Sequence, residues 1–306
     1  MQCCVMRDAG MMLFSRTFRF CALLVAIAVV PSICVAHPGT GIVVDGQGNV
    51  YFVDMVNGVW RVDASGRLTH LPGPAFHWLA FDEQQKLRGV TLPSGASGDI
   101  VRLASVPSLL LSSDVPIATS ADGSLYYPTR GGAPGLQILH LSPSGNRSTF
   151  TTLPARSDRP AYNLNEIAVR DGFVYYTEDD AVRRVDSDGR IATIAEHVAL
   201  KDCRPVTGIG RESLPLLRGL AVDSIGSVYV AATGCARLLK ISTRGAVTAV
   251  YQAEGDWSPT GVAISGTTVY VLEFIGAGSD DRPSMIPRIR RIAADGSSSV
   301  LATVRR

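Results

Sequence analysis

Three acids recur at one kind of place in this 306-residue chain. Asp54, Glu178 and Glu273 each close an apolar stretch, at VYFVD, FVYYTE and TVYVLE, and Asn163, Asn165 and Glu166 stand together just ahead of another such stretch. Carboxylates supplemented by amide oxygens are the donor set that a hard divalent cation such as calcium takes. A cation held that way polarises a lactone or ester carbonyl and activates water. A second group, His37, His77, Trp78, Arg218 and Trp257, stands at the entrances of apolar stretches. Imidazole, guanidinium and indole together can bind a ligand by hydrogen bonding and stacking. His37 and His77 are also transition-metal donors, although a catalytic zinc usually has three protein ligands.

These positions fall into columns because the chain repeats. GIVVDGQGNVYFVDMVNGVWRVDASGRLTHL, from Gly41 to Leu71, reads as four short strands with glycine turns between the first and second and between the third and fourth. The start recurs at Trp78, Pro116, Glu166, Gly219 and Gly261, with spacings of 37, 38, 50, 53 and 42 residues. The turn between the third and fourth strands recurs as SPSG at 142 to 145, DSDG at 186 to 189, STRG at 242 to 245 and AADG at 293 to 296. Spacings near 40 residues are those of four-stranded blades. One four-stranded meander cannot bury both faces, and six copies predict an all-β, closed six-bladed propeller with no exposed sheet edge between blades. The second copy, WLAFDEQQKLRGV, lacks the glycine turns; its aligned second strand would end at Thr91, as the third and fifth end at Thr129 and Ala232.

GIVVDGQGNVYFVD at 41 to 54 and GLAVDSIGSVYVAA at 219 to 232 resemble the NHL-repeat motif, a glycine and three apolar residues ending in Asp, then Gly-Asn-Val-Tyr-Val-x-Asp. The resemblance runs from Gly41 to Val304 and is weakest in the second copy. It implies an NHL-type propeller related to the SMP-30/gluconolactonase propellers, families that include lactonases, lyases and plain binding modules. The lactonases of that group hold their metal partly through a glutamate near the entrance of the first blade, where this chain has PGTG at 38 to 41.

Residues 1–36 read as a secretory leader: Arg16 and Arg19 precede the apolar run from Phe20 to Val30, and Cys34-Val35-Ala36 gives a small-x-small site before His37. Cleavage near Ala36 would release a single domain, 37–306, to the periplasm or the extracellular space, with no stable membrane span, since the run is short of the ~20 apolar residues a span needs. Taking Arg7, Arg16, Arg19 and Asp8 away from 29 basic and 27 acidic residues leaves 26 of each. A nearly neutral domain without a basic face is not built to bind nucleic acid. Of six cysteines only Cys203 and Cys235 remain, and an even pair in an oxidising compartment predicts a disulfide.

Strand alternation puts the connections after the second and fourth strands at one end, the top. The long ones are of this kind, at 128–135, 154–165, 197–217 and 274–285. Variable loops on a rigid scaffold are where function concentrates. The chain has no HExxH, GxSxG, GxxxxGK[ST] or GxGxxG signature. The expectation is therefore an exported module that binds a small molecule or protein at the top-face channel mouth, through His37, His77, Trp78, Arg218 and Trp257. The alternative is a divalent-metal lactonase or ester hydrolase using Asp54, Asn163, Asn165, Glu166, Glu178 and Glu273.

Overall fold

Asp45 ends the first strand by folding its carboxylate onto the chain ahead, where Oδ1 accepts the amides of Gln47 at 2.9 Å and Asn49 at 2.8 Å. Gly48 then takes φ +81°, a conformation that costs other residues strain, and the chain reverses. Asp223 does the same with the amides of Ile225 and Ser227, and Asp63 and Asp186 do it at the turns into fourth strands. The repeated Asp and Gly are thus turn chemistry, and the Val, Ile and aromatic residues between them supply the pleated surface.

The computed structural model describes residues 38–95, 99–130, 135–154, 164–198, 200, 203, 215–276 and 285–306. Residues 1–37, and with them the leader and His37, lie outside the described residues, as does Asn163. So do much of the long top-face connections, 131–134, 155–163, 204–214 and 277–284.

Blade one is β1 (Ile42–Val44), β2 (Val50–Asp54), β3 (Gly58–Val62) and β4 (Leu68–Leu71). Blade two is β5 (Trp78–Phe81), β6 (Ile100–Leu103) and β7 (Val106–Ser112). Blade three is β8 (Ala118–Thr119), β9 (Leu125–Arg130), β10 (Leu136–Leu141) and β11 (Arg147–Thr152). Blade four is β12 (Leu164–Arg170), β13 (Phe173–Glu178), β14 (Ala181–Val185) and β15 (Ile191–Ala195). Blade five is β16 (Leu217–Val222), β17 (Val228–Ala232), β18 (Arg237–Ile241) and β19 (Val247–Gln252), with a 3-10 turn at Thr233–Cys235. Blade six is β20 (Trp257–Ser265), β21 (Thr268–Ile275), β22 (Ile286–Ile292) and β23 (Ser298–Thr303). Every sheet is antiparallel and built from one continuous stretch of chain, so among the described residues no strand is exchanged between the first blade and the last.

The six-bladed expectation stands, and blade two departs from it. Among the described residues its sheet has three strands in the order β5-β7-β6. The stretch read as its second strand, up to Thr91, forms turns instead. Asp82 accepts the amides of Lys86 and Leu87 at 2.9 and 3.1 Å, and Leu87 drops fully buried into the core. The second place in the sheet goes to β7, which pairs Trp78 with Ser112. EQQKLRG has neither the alternation of a strand nor a glycine turn to bring it back, so the more apolar VPSLLLS outcompetes it.

Inner strands β1, β5, β8, β12, β16 and β20 touch in succession, and β20 returns to β1. Glycines permit this. A Cβ on Gly219 would lie 2.5 Å from Gly261 Cα, and one on Gly41 would lie 2.8 Å from the Leu79 amide. Residues 38–40 are threaded into the seam: Thr40 and Gly41 donate their amides to the His77 carbonyl at 3.0 and 2.9 Å, and Thr260 Oγ1 donates to the Gly39 carbonyl at 2.9 Å. Between blades the apolar faces interlock around fully buried Phe52, Leu110, Tyr127, Tyr176 and Phe274. Large side chains of this kind contribute roughly 1.5–3 kcal/mol each. Cys203, in the connection from blade four to blade five, is bonded to Cys235 in the 3-10 turn, as the pair of cysteines implied. Among the described residues no helix is long and apolar enough to cross a membrane.

Candidate functional site

The top of the central channel is made by the first residues of the inner strands. Glu166, in β12, is 8 % exposed, and its Oε1 accepts a 3.2 Å bond from the adjacent Ile167 amide. Burial pushes its carboxyl up to about 8, with the Thr40 side chain and the Ile167 amide pulling back in the other direction. Thr40 leads into blade one and Glu166 belongs to blade four, half a turn round the ring, so this acid reaches across the channel. On the adjacent inner strand β16, Arg218 donates from Nη1 to the Pro38 carbonyl at 2.9 Å, and burial pushes its guanidinium down to about 10.

Two more contacts link the inner strands. Trp78 Nε1 donates to the Asn165 carbonyl at 2.9 Å, from blade two to blade four, and Asn165 Nδ2 donates to the Leu217 carbonyl at 2.7 Å. At neutral pH the Glu166 carboxyl is therefore held mainly in its protonated form, while Arg218 keeps its charge. A neutral acid donates a hydrogen bond and the guanidinium supplies positive charge. Acids displaced this far by burial concentrate at functional sites.

The column of acids at the ends of second strands has a different fate. Asp54 is wholly buried and accepts the Val56 amide at 3.0 Å, Asn57 Nδ2 at 3.0 Å, Trp60 Nε1 at 3.2 Å and the guanidinium of Arg306. Glu178 accepts Arg183 Nε at 3.0 Å. Glu273, also wholly buried, accepts Arg288 Nε at 2.6 Å, Arg290 Nε at 3.3 Å and the Tyr251 hydroxyl at 2.8 Å. Burial, followed by the Glu273 charge, pushes the Tyr251 phenol well above its ordinary value. The expected convergence of Asp54, Glu178 and Glu273 with Asn165 and Glu166 on one cation is not met. Each acid of the column is spent on an arginine in its own blade or at the ring seam. Among the described residues no group of three or more His, Cys, Asp or Glu could hold a metal ion.

The expected stacking residues divide. Trp78 is 5 % exposed and faces the channel through its Nε1 bond, which leaves it no open ring face for a ligand. Trp257 is half-buried, with Arg288 Cζ 3.9 Å over its ring. His77 Nδ1 lies 2.8 Å from the Ser113 carbonyl, and its ring is tilted against Trp78 at 5.4 Å. It belongs to the seam between blades one and two. Sequence reasoning missed Thr40 and the arginines 183, 288, 290 and 306. An acid closing a second strand, followed by arginine in the third, was the available signal at Glu178 with Arg183 and at Glu273 with Arg288.

No family model matches the sequence, and no curated protein sequence matches it. Solved structures do resemble it in shape. A gluconolactonase from Xanthomonas campestris superposes with a TM-score of 0.53 at 13 % identity, over 77 % of this chain and 83 % of that one. The fold is a six-bladed propeller. A virginiamycin B lyase from Staphylococcus aureus gives 0.51 at 14 % identity over 86 % and 84 %. The calcium-binding protein regucalcin from Agrobacterium tumefaciens gives 0.50 at 17 % over 78 % and 84 %. At such identities the likeness establishes architecture, and the chemistry has to be argued from the side chains of this chain.

Proposed function

We propose that this chain is an exported propeller that binds a small molecule at the top mouth of its central channel, around Glu166 and Arg218. The observation that carries the reading is the buried Glu166 carboxyl reaching across the channel towards Thr40, with its pKa pushed up to about 8. Burying a carboxyl with few hydrogen-bond partners costs free energy, and acids displaced in this way concentrate at functional sites. Glu166 is buried, so a compact ligand bearing acceptor oxygens or a carboxylate suits these donors better than a flat protein surface. The Cys203–Cys235 bond suits the oxidising compartment to which a leader ending near Ala36 would deliver the domain.

The same carboxyl supports a second reading, acid–base catalysis on a lactone or ester held in that mouth. Of the donors grouped for a divalent cation, Asp54, Glu178 and Glu273 are each paired with an arginine, and among the described residues no group of three or more His, Cys, Asp or Glu could hold a metal ion. No step is therefore assigned to a metal.

A thermal-shift screen of small organic acids, lactones and esters against the mature protein, with calorimetry on the compounds that stabilise it, tests the first reading. Arg218→Gln and Glu166→Gln should each weaken such a compound by tenfold or more, about 1.4 kcal/mol. Compounds that bind both variants as tightly as the parent protein would place the site elsewhere. Hydrolysis of a hit by the parent protein, lost in Glu166→Gln and unchanged by chelator, would select the catalytic reading.

A further inference from the structure

At the opposite end of the ring, where the tight turns lie, blades four and five enclose a groove of about 520 Å³. That volume is in the range of small-molecule pockets, ~300–1,000 Å³. Its blade-four wall is Phe173, Tyr175, Arg184 and Ile194, and its blade-five wall is formed by the turns at 224–226 and 243–245. Two of these residues break the pattern of the repeat. In the DxxGx turn between the first and second strands, blade one has Gln47 and blade three has Asp122, where blade five has Ile225, 73 % exposed. In the turn between the third and fourth strands, blades one, three, four and six have Ser65, Ser144, Asp188 and Asp295, where blade five has Arg244. Ser65 and Asp295 side chains engage their own turns, and Arg244 gives up that role.

Both departures face one cavity, and they change it in complementary ways: one adds apolar surface, the other a cation. Arg184 adds a second cation, its Cζ held 4.5 Å over the Phe173 ring. Among the described residues neither Arg184 nor Arg244 makes an ion pair, and the groove's one carboxylate, Asp171, lies 3.4 Å from Arg170 Nε. Two guanidiniums without counter-ions above an aromatic floor are a receptor for an anion with a flat apolar body.

We propose that this groove is a second ligand site, independent of the channel mouth, for a small organic anion of the aromatic-carboxylate class. The carboxylate bridges Arg184 and Arg244, and the apolar body lies against Phe173 and Ile225.

Titration calorimetry with 2-naphthoate tests it. The expected result is saturable binding of one molecule per chain, weakened at least tenfold by Arg244→Ser and by Ile225→Gln. Each substitution restores a residue that sibling blades use in the same turn, so the fold is retained, which unchanged melting temperatures would verify. Uncharged 2-naphthylmethanol should bind at least tenfold more weakly. Absence of saturable binding at millimolar naphthoate, equal affinity in both restored variants, or equal affinity for the alcohol would each overturn the proposal.

Discussion

The carboxylate of Asp54, at the end of β2, holds the guanidinium of Arg306, 252 residues further along the chain and beyond the last strand. The same guanidinium donates to the Met285 carbonyl at 3.1 Å, so one side chain fastens the sixth blade to the first. Among the described residues no shared strand does this work, since each sheet is continuous in sequence. Arg306→Met leaves a buried carboxylate short of its charged partner and should cost about 1–3 kcal/mol. Urea unfolding of Arg306→Met, Asp54→Asn and the double variant checks it. The two losses should sum to more than the double variant's, because both remove the same clasp, whereas strict additivity would deny the coupling.

Glu166 should write a slope into stability against pH. Its folded pKa of about 8 lies above its ordinary value of 4.5, so the native state keeps a proton that the unfolded chain has released. Its contribution to stability is therefore greatest below about pH 4.5, falls as pH rises towards 8 by at most about 1.4 kcal/mol per unit, and levels off above. Glu166→Gln removes that contribution. Melting curves from pH 5 to 9 should show the variant overtaking the parent at the alkaline end; parallel curves would contradict the burial argument.

Gly219 is required by the narrowness of the ring. A Cβ there would fall 2.5 Å from Gly261 Cα and 2.6 Å from the Thr260 carbonyl, both backbone atoms that cannot step aside alone. Gly219→Ala should cost about 1–3 kcal/mol in denaturant unfolding. Gly46→Ala, where a Cβ would meet nothing within 4 Å, is the matched control and should be nearly neutral.

The Cys203–Cys235 bond closes a separation of 32 residues. Chain-entropy bookkeeping assigns such a loop about 3–4 kcal/mol. Cys235→Ala with Cys203→Ala should lower the melting temperature, and dithiothreitol should lower that of the parent towards the same value without affecting the variant.

The architecture was legible because it is written locally. Asp45 and Gly48 make a turn from residues only a few places apart, and that unit repeats. The arginine partners of the carboxylates were only partly legible: Arg183 and Arg288 follow in the next strand, whereas Arg306 returns from the far end of the chain. Asp54, Glu178 and Glu273 look like one donor set, and what separates them is arginines returning from 252, 5 and 15 residues away. Glu166 was picked out as one ligand among several; its raised pKa comes from burial, which only packing reveals. Trp78 was seen as a stacking surface because a sequence records ring type and not the direction in which the ring nitrogen points.

Blade two also bears on the order of assembly. In blade one, Val44 finds Val50 after a turn of a few residues, so each strand can zip onto its predecessor as it is made. Phe81 must wait for Leu109, on a strand that first runs out to the rim as β6 and then comes back. Closing that larger loop before any pairing is gained raises the entropic barrier at this one point in the circle. The second spoke should be the last to consolidate, and amide hydrogens of residues 78–81 should exchange sooner than those of the other inner strands.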